Sequence, residues 1–148
     1  MRKIKKKTIV VIGLIIGFVV LVRWFSNPER RIFAMVERNL PKYQTVVEQL
    51  WNGEISADEV DLLGVRDVRV RAGEHKKVDF FVTGFGLAPS STYYGFYYSP
   101  EDLALPYLEE TAKISEVEEG VWSWKGNGDN KGVTKKIADC WYYYEASF

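Results

Sequence analysis

The sequence predicts an α+β protein: an N-terminal transmembrane helix, then one or two helices packed on an antiparallel meander sheet of about five or six strands. Three observations carry this. An uncharged apolar run at 8–22 follows a cluster of bases, and apolar residues then recur at helical spacing as far as Leu50. Beyond Leu63 the pattern changes to the two-residue alternation of strands, punctuated by glycine-rich turns. Helices followed by sequential strands with short connections argue for α+β.

Taken in chain order, residues 1–7 form a basic tail containing Arg2, Lys3, Lys5, Lys6 and Lys7. The run at 8–22 spans about 22 Å as a helix, somewhat short of a hydrocarbon core of about 30 Å. Arg23 can snorkel, and Trp24 and Phe25 suit the headgroup layer, so the expected anchor is 8–25. Gly13 and Gly17 form a GxxxG pair, read more simply as two small residues in a membrane helix. A cleaved signal peptide is the competing reading, but 21–27 lacks the small residues that cleavage needs. The base-rich tail places the N-terminus in the cytoplasm and residues 26–148 outside, as a single domain. The expected partners of the anchor and tail are the bilayer, through 8–25, and anionic headgroups, through the five tail bases.

Charge is segregated. The segment up to Arg23 holds six bases and no acid, whereas 24–148 holds 14 bases and 20 acids, a net charge of −6. An acidic domain argues against nucleic-acid recognition. Cys140 is the single cysteine, which excludes an intramolecular disulfide, a multi-cysteine zinc site and a CxxC pair.

Asn27, Pro28 and Glu29 make a good helix start, and apolar residues follow at Ile32, Phe33, Val36 and Leu40. Pro41 breaks or kinks the run, which resumes at Tyr43, Val46, Val47 and Leu50 before a C-cap at Gly53. Ser56 and Glu59 match a capping box for one more short turn. Strands are expected at 65–70, 77–83, 92–98, 120–124 and 140–148, with a further short one at 133–137 after the turn 126–132.

Nineteen aromatic residues lie beyond the anchor. Alternation puts Tyr142, Tyr144, Ala146 and Phe148 on one face of the last strand, and Trp141, Tyr143, Glu145 and Ser147 on the other. Tyr94, Phe96 and Tyr98 similarly oppose Tyr93, Gly95 and Tyr97. One face must be core. The other is either a stacking platform, with Trp122, Trp124, Trp141 and Tyr143 as its candidate ligand-binding residues, or a set of cross-strand pairs that stabilise the sheet.

Other candidates have plainer readings. His75 sits in a polar hairpin tip without a nucleophile elbow, and Cys140 reads as a small strand residue. The pairs at 101–102, 109–110 and 118–119 read as solubilising loop acids, not as carboxyls flanking a cleft. Asn127, Asp129 and Asn130 form a turn that lacks the donor series of a calcium loop. No catalytic residue, metal or cofactor is expected. The functional expectation is a membrane-anchored, non-catalytic interaction domain facing an envelope protein or glycan. The alternatives are a small envelope hydrolase acting through carboxylates, and an immunity- or inhibitor-like protein.

Overall fold

The computed structural model describes residues 12, 15–17, 27–87, 90–107 and 112–148. Most of the expected anchor at 8–25, and all of the basic tail, lie outside them. Among the described residues no helix is long and apolar enough to cross a membrane.

One long helix, α1 (Pro28–Trp51), replaces the two stretches separated by Pro41. Asn27 caps it by accepting from the Arg30 amide at 3.4 Å, with Pro28 in the first turn. Pro41 has no amide hydrogen and its ring crowds the preceding turn, so the helix bends instead of ending. The bend falls at Asn39, whose φ of −119° and ψ of 15° leave the helical region. Gly53 then ends α1 at φ 70°, with the Gly53 and Glu54 amides donating to the Leu50 and Gln49 carbonyls, a Schellman closure. The short turn expected after it is a 3₁₀ helix, Ala57–Glu59. The Glu59 carboxylate accepts from the Ser56 amide at 2.7 Å and its hydroxyl at 2.9 Å, which holds Glu59 below the usual carboxylate range.

Seven strands follow: β1 (Asp67–Arg71), β2 (Lys77–Leu87), β3 (Ser90–Tyr98), β4 (Lys113–Glu118), β5 (Val121–Lys125), β6 (Lys131–Ala138) and β7 (Trp141–Ser147). They form a single sheet in the order β1-β2-β3-β7-β6-β5-β4, antiparallel throughout. The α+β class and the antiparallel sheet are as expected. The strand count is larger, and one meander becomes two, β1-β2-β3 and β4-β5-β6-β7, joined where β3 pairs with β7. The additional strand is β4. As an edge strand it is largely exposed, with only Ile114 packed inward, so it carries little of the apolar alternation that marks a strand in sequence. The expected strand beginning at Cys140 starts one residue later. Cys140 is a turn residue between β6 and β7 with a φ of 65°.

The alternation expected in β3 and β7 is found, and both of the resulting faces are buried. On the first, Val78, Phe80, Phe96, Trp141 and Tyr143 pack beneath Ile32, Val36, Tyr43, Val47 and Leu50 of α1. Tyr43 stands at the centre, with ring centroids 4.9 Å from Phe96 and 6.1 Å from Trp141. On the second, Tyr97, Trp124, Tyr142, Tyr144 and Ala146 pack beneath Leu105 and Tyr107. Those two residues belong to an irregular strap, 99–107, in the connection from β3 to β4. The Tyr107 ring stacks on Tyr144 at 4.3 Å.

Irregular backbone laid over an apolar face must have its carbonyls satisfied, because water is excluded there. The sheet supplies the donors. The Lys77 ammonium donates to the Pro106 and Tyr107 carbonyls at 2.8 and 3.0 Å, and the Thr134 hydroxyl donates to the Leu105 carbonyl at 3.1 Å. The Leu105 amide donates to the Tyr97 hydroxyl at 2.7 Å. Lys77 is itself buried, as is Asp79, whose carboxylate lies 3.3 Å from the ammonium and also pairs with Arg71.

Gly95 sets the spacing at the centre of the sheet. A Cβ there would sit 2.3 Å from the Phe80 carbonyl oxygen and 2.5 Å from the Tyr144 hydroxyl, which lies across it. Gly95→Ala is therefore expected to lower stability by about 1–3 kcal/mol in denaturant unfolding, since neither the ladder nor the ring has room to move. Lys77→Ala leaves Asp79 without its ammonium and two strap carbonyls without a donor, with an expected loss of about 3–5 kcal/mol in the same assay.

Candidate functional site

The four aromatic candidates fall on two faces. Trp122 and Trp124 project to the strap side, and Trp141 and Tyr143 to the helix side. Trp124, Trp141 and Tyr143 are buried, with Trp124 lying across Gly132 and Tyr143 against Phe33 at 5.8 Å. Burial raises the Tyr143 phenol far above its ordinary pKa, as it does the Tyr97 and Tyr144 phenols. Only Trp122 keeps part of its surface, edge-on to Tyr142 at 5.9 Å. A ring covered on both sides offers no face to a solute, so Trp124, Trp141 and Tyr143 are placed as core.

The other singled-out residues are dispersed. His75 lies in the turn between β1 and β2 with its Nδ1 2.9 Å from the Glu101 carboxylate, both exposed. Glu118 and Glu119 are exposed at the β4–β5 turn, while the pair at 109–110 lies outside the described residues. Asn127 and Asn130 close the β5–β6 turn, where the Gly126 amide donates to the Asn130 carbonyl at 2.8 Å. Among the described residues no group of three or more His, Cys, Asp or Glu side chains is placed to hold a metal ion.

Asp102 has a structural task that sequence reading missed. It adopts a φ of 52°, a conformation Asp tolerates better than most residues, and clasps the strap to the β6–β7 turn. Its Oδ1 accepts from the Cys140 amide at 2.7 Å and the Tyr142 hydroxyl at 2.8 Å, and its Oδ2 accepts from the Lys136 ammonium at 2.6 Å. Desolvation works against the charged carboxylate, but those three donors together outweigh it and hold the Asp102 pKa below its ordinary value.

A groove of about 670 Å³ stays open on the helix side, between the N-terminal half of α1 and the segment 62–64 before β1, and a smaller one of about 400 Å³ lies by Trp51, Val70 and Lys76. Arg31, Met35, Arg38 and Lys42 follow one another at i, i+4, i+7 and i+11, one stripe along the helix. Leu62, Leu63, Gly64 and Val82 line the larger groove from outside the helix, and Arg30 and Ile32 from the first turns of α1. Arg31, Arg38 and Lys42 are exposed, and Leu63 is 93% exposed. No carboxylate is among the described residues that line the groove. Glu29, in the first turn, is turned away onto Lys135 at 2.8 Å. The groove is thus a cationic, partly apolar trough on a domain whose net charge is negative. It has the volume of a small-ligand site.

The clasp yields a pH prediction with a definite sign. A carboxylate whose folded pKa is depressed contributes stability that is present above the unfolded pKa of about 3.9 and is lost as pH falls through the folded value. Asp102→Asn is expected to cost about 1–2 kcal/mol at neutral pH. The gap to the parent chain, followed by urea unfolding, should close as pH drops below about 4.

In comparison with known proteins, no family model matches the chain, and no curated protein and no solved structure matches it either.

Proposed function

We propose that this chain is a membrane-anchored, non-catalytic binding protein whose folded domain presents a cationic groove along α1. The observation that carries the reading is the groove itself. The two aromatic sheet faces are packed and the acidic side chains of the strap are committed to pairing, whereas the α1 stripe of Arg31, Arg38 and Lys42 beside the exposed Leu63 stands open. Guanidinium and ammonium groups over an apolar wall are suited to hold a ligand that is anionic at one end and greasy at the other. The anchoring part rests on the charge-free run at 8–22 behind five basic residues.

The hydrolase alternative needs two carboxyls flanking a cleft, one of them in an apolar pocket. Glu101 is instead exposed on His75, and Asp102 is occupied by three donors.

The test is protease treatment of intact cells or spheroplasts that carry a C-terminally tagged chain, with detergent-lysed controls. The expected outcome is that the chain fractionates with membranes and loses its tag to external protease. A tag protected until lysis reverses the orientation, and a chain found free of membranes removes the anchor.

A further inference from the structure

We infer that the α1 groove is a site for one anionic phospholipid, its anionic headgroup lying along the stripe of Arg31, Arg38 and Lys42 and its upper acyl carbons against Met35 and Leu63. This rests on the groove being the ligand site of the preceding reading, and it names the ligand.

Charge complementarity is the first argument. Three exposed cations lie along one helical stripe, and the carboxylates of the same helix half point elsewhere. Glu37 is six residues from Arg31, about 120° around the helix from it at 3.6 residues per turn, and Glu29 is paired with Lys135. A trough without a lining carboxylate concentrates anions even on a domain of net negative charge.

Amphipathy is the second. An inorganic anion would use the cations and leave Leu63 and the accessible part of Met35 bare, whereas a lipid covers both. Leu63, at 93% exposure, is almost entirely outside the fold, where a large aliphatic side chain gains nothing unless it is covered.

Position is the third. Arg31 lies in the first turn of α1, and Lys42 follows roughly 21 Å beyond Pro28 at ~1.5 Å per residue. The helix starts three residues past the end of the expected anchor. The hairpin between β2 and β3 reaches the same end, because Phe85 packs on Tyr94, which pairs with Glu145, two residues from the Tyr143 that meets Phe33 of α1. That hairpin exposes Phe85 by 63% and Leu87 by 89%, so exposed apolar groups lie toward the end of the domain where α1 begins and Arg31 sits.

Native mass spectrometry of the full-length chain, released from a neutral detergent, tests this directly. The probes are phosphatidylglycerol, phosphatidylcholine with the same acyl chains, and inorganic phosphate. The expected result is one phosphatidylglycerol retained about tenfold or more better than phosphatidylcholine, with inorganic phosphate not retained. The triple variant Arg31→Glu, Arg38→Glu, Lys42→Glu should lower phosphatidylglycerol retention to the phosphatidylcholine level. Leu63→Asp, at a position with no packing to lose, should weaken it as well. Lys5→Gln, Lys6→Gln, Lys7→Gln should retain lipid like the parent, which separates the groove from the basic tail. Retention that survives both groove variants, or that disappears only in the tail variant, overturns the inference. Inorganic phosphate bound as well as the lipid also overturns it, since the site is then one for a free anion. Lipid failure with an externally cleaved tag removes the lipid and leaves the anchored orientation standing. Lipid retention with a protected tag supports the site and transfers it to the cytoplasmic leaflet.

Discussion

A sheet with large apolar side chains on both faces needs two covers, and this chain has one long helix to give. The rest of the structure follows from how the second face is closed. Nine residues of irregular backbone cross it, and their polar groups would be stranded in an apolar setting without donors from the sheet below. Lys77, Tyr97 and Thr134 are those partners, and Asp102 locks the entry of the strap onto Lys136, Tyr142 and the Cys140 amide. The cluster of buried Lys77 and Asp79 with half-buried Arg71, surprising in a small domain, is the consequence. Its charges serve each other and the strap together.

The same constraint explains why the aromatic wealth of the domain does not produce an open platform. Tyr97 on Tyr142 at 5.3 Å, Tyr107 on Tyr144 and Phe80 on Phe96 at 4.7 Å are stacked pairs that fill the two cores. Gly95 and Gly132 let the Tyr144 and Trp124 rings lie flat on the sheet, and this keeps the strap layer thin. With both faces closed, the proposed site falls to the flank of α1. There the stripe of Arg31, Arg38 and Lys42 lines one side of the groove, and the segment 62–64 lines it as well.

Much of the fold was legible because its signals are local. Asn27, Pro28 and Gly53 mark the ends of α1 through backbone chemistry that involves only their neighbours. The face assignment of Tyr142, Tyr144 and Ala146 against Trp141 and Tyr143 needs nothing beyond a period of two. β4 was missed because Lys113, Ser115, Glu116 and Glu118 make an edge strand by pairing with β5, and not by burying a face of their own. The partners of β3 were missed because the pairing with β7 joins residues about fifty positions apart, as at Tyr94 and Glu145.

The sequence by itself determined the class of the domain, the limits of its helix, the charge asymmetry between tail and domain, and which aromatic residues share a face. All of these follow from composition, capping and periodicity along short stretches of chain. Only the tertiary structure decided that both faces are covered, that Trp124, Trp141 and Tyr143 are core, and that Asp102 is a clasp. It alone decided that Arg31, Arg38 and Lys42, ordinary surface charges on a helical wheel, become one wall of a groove. The physical reason is that burial and concavity belong to pairs of segments distant in sequence. Here the strap is placed over the Tyr142 face and the loop at Leu63 is placed beside α1, and no residue pattern within either segment encodes its partner.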